Sequence, residues 1–158
     1  MCVGNRCCSM AVRRRVKQRS LSTAEAAAIG VMSAAGHVQQ TFGEICERHG
    51  ITGDQYGILR TLREAHPTGR ARGEVASGCV HRAPDVTRMI DRLVRQGLVR
   101  RTRDNDDRRC SLATITSAGL KLLARIDPEI AAAARRLTQS LSAAQLQQLA
   151  RLTETLAD

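Results

Sequence analysis

Aromatic side chains are nearly missing. The 158 residues include one Phe, Phe42, one Tyr, Tyr56, and no Trp. Proteins that read single-stranded nucleic acid stack bases on several rings, so a duplex partner is favoured over RNA or single strands. No run of about 20 apolar residues occurs, which excludes a membrane-spanning helix. Residues 26–35 are mildly apolar, but Glu25 and the poverty of Leu there argue against a secretory signal. There is no Gly-rich phosphate loop and no nucleophile elbow, and His37, His49, His66 and His81 sit singly, so nothing in the chain points to an enzyme. Six cysteines are present without the paired spacing of a zinc site or a disulfide framework. Cys46, Cys79 and Cys110 lie far apart, and Cys2, Cys7 and Cys8 crowd a polar tail. A reducing cytoplasm is the simplest setting, and no cofactor or metal is implied.

What the chain does have is positive charge, +10 in formal terms. Its placement says more than its size. Residues 70–110 hold 11 arginines against 6 acids, and residues 1–20 hold 6 basic residues and no acid. The remaining segments are close to balanced. A surplus confined to one central stretch and one N-terminal arm suits a polyanionic partner better than a merely solvated basic surface does. Residues 1–20 show no periodicity and are expected to be a disordered basic tail, with a DNA-following arm as the alternative. Residues 21–158 are long enough for one domain with its own core.

The central stretch is RAPDVTRMIDRLVRQGLVRRTRDNDDRRCSLATIT, residues 82–116. Pro84 suits a first helical turn, and Asp85 complements the positive helix start. Val86, Ile90, Leu93 and Val94 make an apolar stripe at helical spacing, while Arg88, Arg92 and Arg95 share another face. Gly97 stops the helix. Leu98–Arg103 and Ser111–Thr116 read as two short strands joined by a turn-forming, basic DNDDRRC.

Around this stretch the chain reads as helices. Ser22-x-x-Glu25, Thr52-x-x-Gln55 and Ser142-x-x-Gln145 are capping boxes that open helices to about Arg48, to about Ala65 and at the C-terminus. The first helix carries Ile29, Met32, Val38, Phe42, Ile45 and Cys46 at three- and four-residue steps, weakened by Gly30, Gly36 and Gly43, so it must pack on a partner subunit or on the second helix. Arg72–Val80 is a short helix, and with the helix after Pro84 it forms a helix-turn-helix pair. Thr116 caps a helix to about Ser140, which Asp127-Pro128 should kink or break. The last helix shows a face of Leu146, Leu149, Leu152 and Leu156 that needs a cover.

The helix ending DRLVRQGLVRR, the wing RDNDDRR and the segment ATITSAGLKLL together resemble the MarR-type winged helix-turn-helix regulators, from about Gly50 to the C-terminus and most sharply over Asp85–Leu123. The resemblance implies a mainly α fold with a small β-hairpin wing. Its DNA-binding region would be residues 52–116, and segments 21–48 and 117–158 would form the helices of a homodimer. The chain departs from the family where a small hydroxyl residue usually precedes the reader helix; Arg82 and Ala83 stand there.

On that reading Arg88, Asp85 and Thr87 contact base edges, and Arg82, Arg92, Arg95 and Arg108 hold phosphates. By resemblance, Arg109 enters the minor groove with Asp107 steadying its guanidinium. The resemblance also implies either a cleft for a small aromatic or phenolic effector, which His37, Phe42, Tyr56 and Arg60 would approach, or a reactive cysteine. Cys110, beside Arg108 and Arg109, is the candidate for the latter, whereas Cys46 and Cys79 lie on apolar faces. The function expected is a sequence-specific double-stranded DNA-binding repressor acting on a pseudo-palindromic operator. The alternative is an architectural protein that coats duplex DNA without sequence choice.

Overall fold

Hydroxyl side chains punctuate the chain. Ser22 accepts the Glu25 N–H and Thr52 accepts the Gln55 N–H, and in both cases the N3 side chain returns a bond to the cap. Thr116 accepts the Gly119 N–H, and Ser142 pairs reciprocally with Gln145. Each satisfies donors that a helix start leaves orphaned. The computed structural model describes residues 21–77, 84–103 and 111–157. The helices that follow these caps are α1 (Thr23–Arg48), α2 (Gly53–Glu64), α5 (Ser117–Leu137) and α6 (Ala143–Ala157). Between α2 and α5 lie β1 (Arg70–Ala71), α3 (Arg72–Ser77), α4 (Pro84–Arg95), β2 (Val99–Arg103) and β3 (Ser111–Ile115).

This is the mainly α winged-helix arrangement expected, with differences in the sheet and in α5. The hairpin is part of a three-stranded antiparallel sheet in the order β1-β3-β2. β2 and β3 pair from Val99 with Ile115 to Arg103 with Ser111, and β1 adds Arg70 opposite Ala113 on the other edge of β3. Of the kink or break expected at Asp127-Pro128, the break does not occur: α5 runs through Pro128 to Leu137, three residues short of the end expected. Pro128 removes one helical N–H, and the side chains on either side of it, Asp127 and Glu129, are tied to α2 and to the end of α1. The helix after β1 is described as far as Ser77; residues 78–83, with Cys79, lie outside the described residues.

One core joins these elements. Ile58, Leu59 and Leu62 of α2 meet Val75 of α3, Val86, Ile90 and Leu93 of α4, Val99 and Ile115 of the sheet, and Leu123, Ile126 and Ile130 of α5. α1 enters it only at its C-terminal end, through Ile45 and Cys46, with Phe42 partly buried. The rest of the stripe on α1 is exposed, Ile29 at 52% and Met32 at 74%, and so is the Leu face of α6. The packing that the sequence demanded for these two faces is therefore not supplied from within the described chain.

Candidate nucleic-acid interface

α4 has two faces of opposite character. Val86, Ile90 and Leu93 are at most 2% exposed. Arg88, Arg92 and Arg95 repeat the same four-then-three spacing two residues later, which carries them about 200° around the helix, and all three are exposed. Anchored by its apolar stripe, the helix projects its guanidinium groups outward. Thr87 is half-buried beside them. Asp91, on the same helix, is engaged by Arg101 of β2 at 2.7 Å, an ion pair that fixes the base of the wing against α4.

Thr116 locks the other end of the wing. Its N–H donates to Leu98 O at 3.0 Å, and its hydroxyl hydrogen is shared between Gly97 O at 2.8 Å and Leu98 O at 3.1 Å. Gly97 ends the turn after α4 with φ +71°, a conformation that favours glycine. Gly119 lets α5 approach closely, since a Cβ there would lie 2.5 Å from Leu98 O. α4, the base of the β2–β3 hairpin and the start of α5 are thus tied together at one corner.

Between the start of α2 and the outward face of α4 lies an open concavity of about 420 Å³, bounded by Thr52 and Gln55 on one side and by Arg88, Arg92 and Arg95 on the other. Sequence reasoning placed these three arginines on one face, but it did not bring α2 to them.

A second polar cluster joins α2 to α5. The Tyr56 hydroxyl donates to Asp127 Oδ1 at 2.8 Å, Arg63 Nη1 donates to Asp127 Oδ2, and the Arg60 guanidinium lies 5.9 Å from the centre of the Tyr56 ring. Burial, then the bond to Asp127, pushes the Tyr56 phenol up to about 12. Burial alone would raise Asp127, but hydrogen bonds from Arg63 and Tyr56 and the Arg63 charge outweigh it and hold the carboxyl below its usual 3.8. A carboxylate depressed in the folded state stabilises it above the unfolded pKa, and that stability is lost as the pH falls through the folded pKa. Urea unfolding followed from about pH 7 to about pH 3 should show stability dropping below about pH 4. Asp127→Asn should lower stability at neutral pH and partly flatten that acid limb, whereas superimposable pH profiles for variant and wild type would show the pair to be inert.

Of the proposed effector-cleft residues, Tyr56 and Arg60 are brought together, Phe42 is half-buried against the core, and His37 is exposed on α1 with its carbonyl accepting the Thr41 hydroxyl. Arg63 and Asp127 were missed because they pair across 64 residues of sequence, and no local pattern marks such a contact. Cys46 is fully buried, and burial followed by the Glu47 charge pushes its thiol up to about 11, as an inert packing residue requires. Arg82, Asp107, Arg108, Arg109 and Cys110 lie outside the described residues, and Asp85 is described only as backbone of α4. Among the described residues no helix is long and apolar enough to cross a membrane.

Comparison with known proteins bears on the same region. A family model described as MarR family matches residues 49–109. The homoprotocatechuate degradative operon repressor of Escherichia coli is 30% identical over 126 residues, spanning 80% of this chain and 84% of that protein. A crystal structure of a MarR transcription factor from Planctomyces limnophilus shares 35% identity and a TM-score of 0.66, covering 87% of this chain and 99% of that one. A MarR family transcriptional regulator from Streptomyces coelicolor, crystallised in complex with DNA, superposes with a TM-score of 0.78 over 90% of this chain and 91% of its own; at 23% identity it shows the shared fold.

Proposed function

Because this chain belongs to the MarR family of transcription regulators, we propose that it is a repressor that binds one pseudo-palindromic operator in duplex DNA as a cytoplasmic homodimer. The observation that carries the reading is the two-faced α4, whose apolar stripe is sealed in the core while Arg88, Arg92 and Arg95 stand free for a groove. Arg88, one turn into the helix, reaches a base edge with Thr87 and Asp85 beside it. Arg92 and Arg95, with Arg82 and Arg108, hold phosphates. Arg109, steadied by Asp107, enters the neighbouring minor groove. Phosphate contacts set the register and base contacts the sequence, and both are needed for a repressor that must find one site among many.

The exposed Ile29 and Met32 of α1 and the Leu face of α6 support the dimer, since apolar faces of this extent are covered in a stable protein. A two-fold pair sets two reader helices about one DNA turn, or 34–36 Å, apart. Leu149 and Leu152 are exposed at 44% and 56%. Leu149→Glu together with Leu152→Glu should turn a dimer into a monomer in sedimentation equilibrium and weaken operator binding by well over tenfold, since one half-site is lost. A double variant that still sediments as a dimer would move the interface elsewhere.

Release by a small aromatic or phenolic acid fits the Tyr56–Arg60 pair, with Phe42 half-buried against the same core, and the E. coli relative is named for the operon that degrades one such acid, homoprotocatechuate. His37 would lie at the rim. Oxidation of Cys110 is the other route to release.

The deciding experiment enriches fragments of the genomic DNA on the protein and titrates the enriched duplex against its scrambled version at physiological salt. The reading predicts a preference on the order of a thousandfold or more. Equal affinity for both would make the protein an architectural coat instead.

A further inference from the structure

The concavity between α2 and α4 sets a buried amide of α2 opposite three arginines of α4. Resting on the reading of the chain as a duplex-binding regulator, we propose that it seats one phosphodiester group of the DNA backbone, with Gln55 of α2 as the residue that positions it. Gln55 is 2% exposed, and its Oε1 accepts the Thr52 N–H at 2.9 Å. That bond fixes the amide plane and leaves Nε2 with no partner, the one buried side-chain polar atom so left among the described residues. A buried amide donor is ordinarily satisfied, so the missing group is an acceptor oxygen.

The surroundings select a negatively charged one. Arg88, Arg92 and Arg95 line the opposite wall, and the positive end of the α2 dipole faces the same space. Asp54 and Asp91 also border it, but Asp91 is engaged by Arg101. Three arginines against two aspartates leave a modest positive surplus, suited to one contact in a many-contact interface rather than to tight capture of a free ion. Position points the same way. With the arginine face of α4 in a major groove, the adjoining start of α2 lies against the groove wall, and that wall is sugar and phosphate. Met89, an unbranched and flexible side chain in the same lining, makes way for the incoming oxygen.

Gln55→Glu tests this cleanly. Glu serves as well as Gln at the third position of a capping box, so α2 keeps its start. The donor is replaced by an oxygen that repels phosphate. In fluorescence titrations of the full chain against a scrambled duplex, the variant should bind about tenfold more weakly or worse, and its log–log salt slope should fall by about 0.9. A variant that is folded by circular dichroism and unchanged in affinity and slope overturns the site while leaving the DNA-binding reading intact. A wild-type protein that binds no duplex removes both. If Gln55→Glu does not fold, the wild-type protein decides: its Gln55 side-chain amide resonance should move on adding scrambled duplex. A resonance that stays in place overturns the proposal, and so does one that moves with inorganic phosphate but not with duplex.

Discussion

Arg88→Ala should weaken operator binding by about tenfold to a hundredfold and relax the preference at one base pair in each half-site, because a bidentate arginine–guanine contact discriminates by about 1–3 kcal/mol. The folded protein should not notice. Arg88 is exposed on the face of α4 turned away from the core. Titration against the operator and its single-base variants measures both effects. Arg92→Ala, by contrast, should weaken binding about equally on all sequences and reduce the salt slope by about one, as the loss of a phosphate contact does. If Arg88→Ala behaved like Arg92→Ala, the helix would be lying on the backbone rather than reading the groove.

Leu93→Ala should have the opposite signature. Leu93 is fully buried, at the point where α4 meets the shared core. Truncating such a side chain removes transfer energy and leaves a cavity, together about 2–5 kcal/mol. In a domain of this size that is a fall in Tm of roughly 5–20 °C. Below its melting point the variant should keep the wild-type salt slope, since its outward arginines are untouched. A Tm within a degree or so of wild type would mean that α4 is not held by this stripe, and the outward projection of the arginines would lose its cause.

The contrast between these two substitutions rests on a pattern visible in the sequence, two stripes on one helix offset by two residues. Helix starts were legible for a similar reason. Ser22, Thr52, Thr116 and Ser142 act on donors three residues away, and so local a bond leaves a local mark. Gly97 was legible because its positive φ is a backbone requirement of that one position. β1 was not. Two residues cannot show a period, and Arg70–Ala71 is a strand only because β3 offers it an open edge. That the helix continues through Pro128 was not legible, because the partners that hold α5 on either side of it, Arg63 and Tyr56 for Asp127 and Arg48 and His49 for Glu129, come from distant elements. The interface divides in the same way. Its arginine face could be read from spacing alone, but the concavity needs α2 beside α4, and Gln55 showed only its capping role until its other amide atom was found without a partner.

Methylation interference on the enriched operator addresses the groove-reading helix most directly. Methyl groups on guanine N7 occupy the major-groove edge that an arginine would contact. Two interfering guanines are expected, related by the dyad and about 10 base pairs apart. Both should cease to interfere when the protein carries Arg88→Ala. Binding indifferent to methylated guanine, or interference at a single position with no symmetric mate, would contradict a paired α4 in successive major grooves.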